Sequence, residues 1–366
     1  MTVTSRHIWY VHGFDPATTA RYRRIFQAGL DRYDVTARDL PSDADDAQGW
    51  SALRSGVETR VQVLRYEDLV RAYQQGGVFE RIGRGIRSFV AMTYGGAWGR
   101  LGPRTLALTL APILVVFLPL TLAAWFSRVG WGWSLGALAV FGLMSAVLLF
   151  RYRLILAADL MAYLHELADG AGPAFAAYQA RTKELAKALC DPKTQEVLLV
   201  GHSLGGMTAI KALAAALPDW PADRAISFLT IGSVHGLVLG QRGAGSDQLA
   251  EAIVAVTSDR RVTWVDVSSP RDAFCVALTD PLLMIGNRAR PGLSSPLILS
   301  AHLARSPAIP GDRRAIFGAM RRHMGYLLPQ PPGAGFDYVD WATGPVDLSA
   351  RTAGRNPSPK ARVWRG

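Results

Sequence analysis

The chain has 366 residues, enough to bury a large core in one large domain or two. It carries 40 Lys and Arg against 29 Asp and Glu, a formal charge of +11, and its mean hydropathy is +0.14. A basic balance indicates nucleic acid or an anionic membrane surface; no nucleic-acid-binding module is recognisable, and the hydropathy favours the membrane. The two cysteines, Cys190 and Cys275, lie far apart without metal-ligand spacing, which argues against a disulfide framework and predicts a reducing compartment.

A short strand is predicted near the start of the chain, from His7 to Val11, and no signal peptide is expected before it. The strand runs into His12-Gly-Phe-Asp15, where the glycine lets the backbone approach another segment closely. An ordinary strand-to-helix turn is the simpler interpretation, with Asp15 capping a helix that has Pro16 at its first position. The two interpretations use different groups and are compatible.

The region from residue 21 to residue 102 is mixed in character. The pattern predicts a helix over Arg21–Leu30, short strands over Tyr33–Arg38 and Val61–Tyr66, and an acidic loop over Pro41–Gly49. From Gly76 to Gly102 arginines and glycines are interleaved with apolar residues, which is typical of a segment that lies on anionic headgroups. The same arginines would also suit RNA, an alternative that the next segment disfavours.

Two uncharged apolar runs follow, 106–126 and 131–150, each about long enough to cross a bilayer as a helix. A four-residue turn, Ser127-Arg-Val-Gly130, separates them, and tryptophans cluster around it as interfacial aromatics do. Arginines flank the pair, which predicts a membrane hairpin over residues 101–153 with both open ends in the cytoplasm. Because Arg128 lies at the tip, a hairpin that enters one leaflet is an alternative, as is a pair of buried helices in a soluble protein.

The chemistry of the chain is organised around residues 196–217. The pattern predicts a buried strand over Val197–Val200 and an Ala-rich helix over Met207–Leu217, with Gly201-His-Ser-Leu-Gly205 between them. A serine in a sharp strand-to-helix turn requires glycines two positions to either side, because side chains there would crowd the backbone. The helix N-terminus behind Ser203 also favours negative charge that develops on a bound substrate.

This G-x-S-x-G turn, in its strand–turn–helix context, resembles the nucleophile elbow of the α/β-hydrolase superfamily, and specifically of its lipase and esterase branch. The resemblance implies that Ser203 is the nucleophile. The His-Gly-Phe turn is similar to the segment that supplies half of the oxyanion hole in many lipases, which implies Phe14 and Leu204 as the backbone N–H donors. The resemblance also implies the chain order serine, acid, histidine.

The acid of this order is expected near the strand Arg261–Val267, where two carboxylates compete. Asp272 follows the end of the strand, the usual position of the acid in this superfamily, and is preferred. Asp266 lies within the strand and is the alternative. If its side chain points inward it needs a partner, because burying an unpaired carboxylate is costly.

The histidine is expected beyond the last strand. Asp280–Pro310 is rich in Pro, Gly and Ser and resembles the caps over lipase pockets; it contains His302. His323, within Arg321-Arg-His-Met-Gly-Tyr326, resembles the lipase segment that carries the general base and is preferred over His302. A solvated histidine in an arginine-rich patch is the simpler interpretation of His323.

These elements predict an α/β fold. A mostly parallel, α/β-hydrolase-like sheet with helices on both faces is expected from residues 1–100 and 154–345, with the hairpin inserted between them. Residues 346–366 are polar and basic and are expected to form a disordered tail that touches anionic lipid.

The expected function is that of a membrane-anchored serine hydrolase that cleaves a carboxylic ester of a lipid or other acyl substrate through an acyl-enzyme. No cofactor, metal or nucleic acid is expected; the expected partners are the lipid bilayer and the ester substrate. The alternatives are a catalytically inactive interaction module on the same scaffold and an acyltransferase that uses the same triad.

Overall fold

The computed structural model of the chain describes residues 2–16, 19–40, 49–151, 154–189, 194–301, 319–330 and 335–364. Two predicted features lie wholly outside this part of the chain, His302 and Cys190, as does most of the acidic loop. The cap-like stretch is described as far as Ala301.

Eight strands of the described part form one sheet. In chain order they are β1 (Ser5–Val11), β2 (Arg38–Asp39), β3 (Gly49–Arg54), β4 (Val57–Leu64), β5 (Glu196–His202), β6 (Ile226–Ile231), β7 (Val262–Ser268) and β8 (Leu297–Ser300). They lie in the order β2-β3-β4-β1-β5-β6-β7-β8, parallel from β4 to β8 and antiparallel at the β2 end. The predicted α/β class with a mostly parallel sheet is confirmed.

Helices connect and cover these strands. In the described residues they are α1 (Thr19–Leu30), α2 (Glu67–Tyr73), α3 (Val78–Tyr94), α4 (Trp98–Leu101), α5 (Pro103–Phe126), α6 (Trp131–Ala146), α7 (Leu154–Asp169), α8 (Gly172–Ala188), α9 (Leu204–Ala216), α10 (His235–Leu239), α11 (Ala244–Ser258), α12 (Pro281–Ile285), α13 (Ala319–Met324), α14 (Tyr338–Thr343) and α15 (Leu348–Thr352). Helix α6 continues as a π-helical turn, Val147–Arg151.

The core lies on both faces of the sheet, because alternate side chains of a strand point to opposite sides. In β1, Ile8 and Tyr10 join an apolar cluster that includes side chains of α1 and α14. Trp9 and Val11 join a second cluster that includes side chains of α7 and α9. Both clusters contain buried residues of β5 and β6, whose apolar runs are typical of strands covered on both faces.

The β2 end of the sheet differs from the sequence-based expectation. Strand β3, which was not predicted, pairs antiparallel with β4 through a turn at Ser55 and Gly56, both with positive φ. Strand β4 begins at Val57, four residues before the predicted strand. Its first four residues alternate between buried and exposed positions, as in a strand that faces solvent on one side. The strand predicted over Tyr33–Arg38 is replaced by a 3₁₀ turn and by the two-residue β2.

Helices α5 and α6 form an antiparallel pair with little cover from the rest of the chain. Pro103–Phe126 has a mean hydropathy of 2.4 and is 22% buried, and Trp131–Leu149 has a mean hydropathy of 1.9 and is 17% buried, each over its most apolar window. By length and composition both are able to cross a membrane. Their contact includes two buried hydroxyls: Ser134 donates to the Ala123 carbonyl at 2.7 Å and Ser145 to that of Val115 at 2.6 Å.

The C-terminal segment packs against the domain, contrary to the expectation of a disordered tail. Residues 348–352 form helix α15. Beyond it, the backbone N–H of Ser358 donates to the Ile298 carbonyl at 2.9 Å, and that of Arg362 donates to the Leu278 carbonyl at 2.8 Å. The polar composition suggested disorder, but backbone hydrogen bonds to β8 and to the loop after β7 hold the segment regardless of side-chain type.

A buried ion pair ties this segment to the centre of the sheet. Arg6 of β1 donates from Nε to Glu196 of β5 at 2.6 Å, and its other nitrogens donate to the carbonyls of Ala342, Gly344 and Val346. Glu196 also accepts from the Ser227 hydroxyl at 2.7 Å and from the Leu348 backbone N–H at 2.9 Å. The charges of the pair are thus satisfied by strands β1, β5 and β6 and by the C-terminal segment.

We expect Glu196→Ala to lower the free energy of unfolding by about 3–5 kcal/mol, because it leaves the Arg6 charge buried without its partner. Glu58→Ala is the matched control: it also removes a carboxylate paired with an arginine, but both side chains are about half exposed, so about 1 kcal/mol or less is expected. Urea denaturation followed by tryptophan fluorescence measures both. Equal losses in the two variants would contradict the structural role of the Arg6–Glu196 pair.

Candidate active site

Ser203 lies in a strained turn between β5 and α9. Its backbone has φ 59° and ψ −124°, a positive-φ conformation that a residue with a side chain rarely adopts. Strand β5 is buried along its length up to His202, and α9 begins at Leu204. The predicted strand–turn–helix around Ser203 is therefore present, with Ser203 at the turn.

The glycines two positions before and after Ser203 are required by close backbone contacts. A Cβ atom at Gly205 would lie 2.0 Å from the Val11 carbonyl oxygen, and one at Gly201 would lie 2.5 Å from the Gly206 Cα. Backbone atoms cannot move away as the end of a flexible side chain can, so no larger residue fits. The contact between Gly205 and the Val11 carbonyl also fixes the position of the turn against the end of β1.

The turn after β1 lies directly against Ser203. Strands β1 and β5 are parallel neighbours with Val11 opposite Gly201, and a Cβ atom at Gly13 would lie 2.8 Å from the Ser203 Cβ. The two predicted oxyanion donors flank this contact. Phe14 follows Gly13, and Leu204 is the first residue of α9, where a backbone N–H has no partner within the helix.

Tyr66 and Glu67, which were not predicted to take part in the site, support the turn at residues 12–14. The His12 ring stacks on Tyr66 at a centroid distance of 4.5 Å, and the Tyr66 hydroxyl donates to the His12 carbonyl. Nε2 of His12 lies 3.5 Å from a carboxylate oxygen of Glu67, which also pairs with Arg65. Burial by itself raises the pKa of Glu67, but the contacts with His12 and Arg65 outweigh it and lower the pKa to about 2.

The structure brings His323 and Asp272 together. His323 lies in α13 and Asp272 in the loop after β7, and Nδ1 of His323 is 2.8 Å from Oδ2 of Asp272. Both side chains are buried. They are 51 positions apart in the sequence, so the pair depends on how β7 and α13 are positioned.

Asp272 receives further hydrogen bonds that the sequence did not indicate. The backbone N–H of Phe274 donates to Oδ1 at 2.9 Å, and the Tyr326 hydroxyl donates to Oδ2 at 3.0 Å. Burial raises the pKa of Asp272, but the His323 imidazole and these hydrogen bonds outweigh burial, and the pKa lies below its ordinary value. Asp272 is therefore an ionised acceptor at neutral pH, which places a proton on Nδ1 of His323.

The other ring nitrogen of His323 has a different environment. Nε2 is buried and has no hydrogen-bond partner within the described ranges. In the neutral tautomer with its proton on Nδ1, an imidazole carries a lone pair on Nε2, as a general base requires. His202 contacts the backbone of His323. Burial and the neighbouring His323 lower the pKa of His202 to about 3. Its neutral ring donates from Nε2 to the His323 carbonyl at 3.1 Å.

Ser203 and His323 line the same cavity, which has a volume of about 280 Å³. The cavity also contacts Phe14 and His202. Its apolar wall comes from α7, from the loop after β7 and from α13: Ile155, Leu156, Leu160, Phe274, Met320 and Met324. Charged side chains of Asp15, Arg21 and Arg81 also border it. A small, mostly apolar cavity that contains a strained serine and a histidine is typical of a binding site for an organic substrate.

The alternative acid, Asp266, lies elsewhere. Its carboxylate accepts from the Thr230 hydroxyl of β6 at 2.6 Å, and that hydroxyl accepts in turn from the Trp264 indole N–H at 2.9 Å. Burial raises the pKa of Asp266 to about 7, although the Thr230 hydrogen bond opposes the shift. Of the two carboxylates, the one in contact with His323 is Asp272.

We expect Asp266 to make the stability of the protein depend on pH. Its pKa is raised in the folded state, so the fold retains a proton that the unfolded chain releases near pH 4. The free energy of unfolding should therefore fall as pH rises from about 4 to about 7. Asp266→Asn keeps the shape without the titration and should be more stable than the wild type at about pH 8, by a few kcal/mol, but not at about pH 4. Urea denaturation at both pH values tests this; a wild type as stable as the variant at the higher pH would contradict it.

No group of three or more His, Cys, Asp and Glu side chains in the described residues is arranged to hold a metal ion. The comparison of the chain with protein families, with curated proteins and with solved structures found no significant match.

Proposed function

We propose that the protein is a serine hydrolase of the α/β-hydrolase type that cleaves a carboxylic ester. The observation that carries the proposal is the state of His323: Nδ1 is bonded to ionised Asp272, while Nε2 is unpartnered beside the cavity that contains Ser203. The topology supports the same assignment. The serine follows β5, the acid follows β7 and the histidine follows β8, in the chain order of this superfamily.

In the proposed mechanism His323 activates Ser203. The Ser203 oxygen attacks the ester carbonyl carbon as its proton passes to Nε2 of His323, and Asp272 stabilises the resulting imidazolium. The backbone N–H groups of Leu204 and Phe14 hold the negative oxygen of the tetrahedral intermediate. The intermediate collapses, the C–O bond to the alcohol breaks, and His323 returns the proton to the departing alcohol. Water then repeats these steps on the acyl-enzyme and releases the acid.

We further propose that α5 and α6 embed the enzyme in a bilayer. A core helix of a soluble protein would be mostly buried, whereas the most apolar windows of these two helices are largely exposed. The exposed side chains are large and apolar, among them Leu114, Phe117, Trp125, Trp131 and Val140. The arginines before and after the pair favour an orientation with both ends and the catalytic domain in the cytoplasm.

The proposed hairpin lies next to the proposed active site, which suits a substrate that arrives from the membrane. Arg104, in the first turn of α5, donates to the carbonyl of Pro270, two residues before Asp272. At the other end of the hairpin, α7 begins at Leu154 and at once supplies Ile155 and Leu156 to the cavity wall. An acyl chain leaving the bilayer beside α5 and α6 therefore has a short path to Ser203.

We expect a fluorophosphonate probe to label the wild-type protein and not Ser203→Ala, because the probe reacts with an activated serine. Asp272→Asn should lower kcat/KM for ester hydrolysis by about four orders of magnitude, since it favours the wrong His323 tautomer. Asp266→Asn is the matched control and should stay within about tenfold of the wild type, because its partner is Thr230. A folded wild type that is neither labelled nor active on esters of several chain lengths would support the inactive scaffold instead.

We expect the full-length protein to stay with the membrane fraction during an alkaline carbonate wash. Leu114→Lys combined with Val140→Lys places a charge near the middle of each helix, at a cost of about 3 kcal/mol each, and should lower the membrane-integrated fraction. Leu53→Lys is the control, because Leu53 is similarly exposed but lies on strand β3 of the sheet, outside the two helices. Release of the wild type by the wash would contradict the hairpin proposal.

A further inference from the structure

A positively charged side chain borders the cavity that contains Ser203. Arg81 belongs to α3, which packs against α7, and lines the cavity together with Leu160 of α7. Its side chain is 18% exposed. Burying a charged guanidinium beside a mostly apolar cavity costs solvation free energy unless the group is paired and hydrogen-bonded.

Arg81 is fixed by a carboxylate with no exposed surface. Its Nε lies 3.1 Å from both oxygens of Asp159, and its Nη2 donates to Oδ2 of the same side chain. Asp159 lies in α7, next to the cavity-lining Leu160. This two-nitrogen contact defines the plane of the guanidinium, as forked arginine–carboxylate pairs do.

One nitrogen of Arg81 remains uncommitted. Within the described part of the chain, Nε and Nη2 account for the hydrogen bonds of Arg81, which leaves Nη1 without a partner. Asp15, which also lines the cavity, is paired with Arg21 at 2.7 Å, Asp159 is paired with Arg81, and Asp272 is bonded to His323. The group that the cavity offers to a ligand is therefore a fixed, charged donor, which favours an anion over a cation.

We propose that this site selects esters that also carry an anionic group, a carboxylate or a phosphate, which binds Nη1 of Arg81 while the ester carbonyl lies at Ser203. The inference rests on the proposed esterase function and specifies its substrate class. Arg81 is a specificity-determining residue in this account. It binds a part of the substrate that does not react, and the binding energy orients the ester.

Matched pairs of neutral and anionic esters test the proposal. On the acyl side the pair is 4-nitrophenyl pentanoate and mono-4-nitrophenyl glutarate; on the alcohol side it is 1-butyrylglycerol and its 3-phosphate. We expect the wild type to prefer the anionic member of at least one pair in kcat/KM, and the pair identifies the anion and the side on which it lies. Arg81→Gln should reduce that preference about tenfold or more, the usual effect of losing a charge-assisted hydrogen bond.

Arg84→Gln is the matched control for this variant. Arg84 also lies on α3 and faces Asp159, with its Nη2 3.7 Å from Oδ1, but it does not line the cavity. It should leave the preference within about threefold of the wild type. If the wild type shows no preference in either pair, or if both arginine variants reduce it equally, Arg81 is a structural partner of Asp159 and the proposal is overturned.

A binding measurement separates this proposal from the esterase proposal. Glutarate and glycerol 3-phosphate are the anionic products of the two pairs. The one from the preferred pair should bind the wild type in calorimetry and bind Arg81→Gln at least about tenfold more weakly. This result would support the anion site even if no ester were hydrolysed, an outcome that would remove only the catalytic proposal. Hydrolysis that depends on Ser203, together with equal binding of each of these two anions by both proteins, would retain the esterase and remove the anion site.

Discussion

The closest backbone contact in the site, between the end of β1 and the turn after β5, is the constraint on which the rest depends. Gly205 lies against the Val11 carbonyl so closely that a Cβ would be 2.0 Å away, and Gly13 lies against Ser203. Because β1 and β5 are parallel and adjacent, their carboxyl ends meet at one edge of the sheet. Ser203 has a positive φ in this turn and borders the cavity together with Phe14, the residue after Gly13. A bulkier residue at either glycine would separate the proposed nucleophile from its proposed oxyanion donors.

The second determinant is the difference between two buried carboxylates that are six positions apart. Asp272 accepts from His323, Phe274 and Tyr326, and these contacts keep its pKa below the ordinary value. Asp266 accepts from the Thr230 hydroxyl, and burial raises its pKa to about 7. One carboxylate therefore stays ionised and suited to stabilise an imidazolium, while the other holds its proton up to about pH 7. Environment, and not residue type, separates their roles.

The sequence was most informative where a local pattern determines local structure. The apolar run before Ser203 and the spacing of its glycines predict β5, the turn and α9, because strand burial and turn sterics act over a few residues. The choice between Asp266 and Asp272 could be ranked but not decided, since it depends on where α13 places His323, more than fifty positions away. Tyr66 and Tyr326 support the site through contacts between distant segments. Tyr326 lies in the segment that predicted His323, but no pattern in the sequence indicates its bond to Asp272 or that of Tyr66 to His12.

The errors have physical causes of the same kind. Strand β3, which lies between β2 and β4, lacks an apolar run, and its pairing with β4 depends on a turn at Ser55 and Gly56. The C-terminal segment has the composition of a disordered tail. Its backbone N–H groups nevertheless donate to the domain, from Leu348 to the Glu196 carboxylate and from Ser358 to the Ile298 carbonyl of β8. Backbone hydrogen bonds to a preformed domain do not depend on side-chain polarity, so composition underestimates the order of a segment that they hold.

The central claim is that Ser203, activated by His323 and Asp272, forms a covalent acyl intermediate. Rapid acid quenching during ester turnover, followed by peptide mass spectrometry, measures this most directly. The account predicts the mass of the acyl group on the peptide that contains Ser203, formed during turnover and lost after the ester is consumed. Turnover with Ser203 unmodified, or the acyl group on another residue such as Cys275, would contradict it.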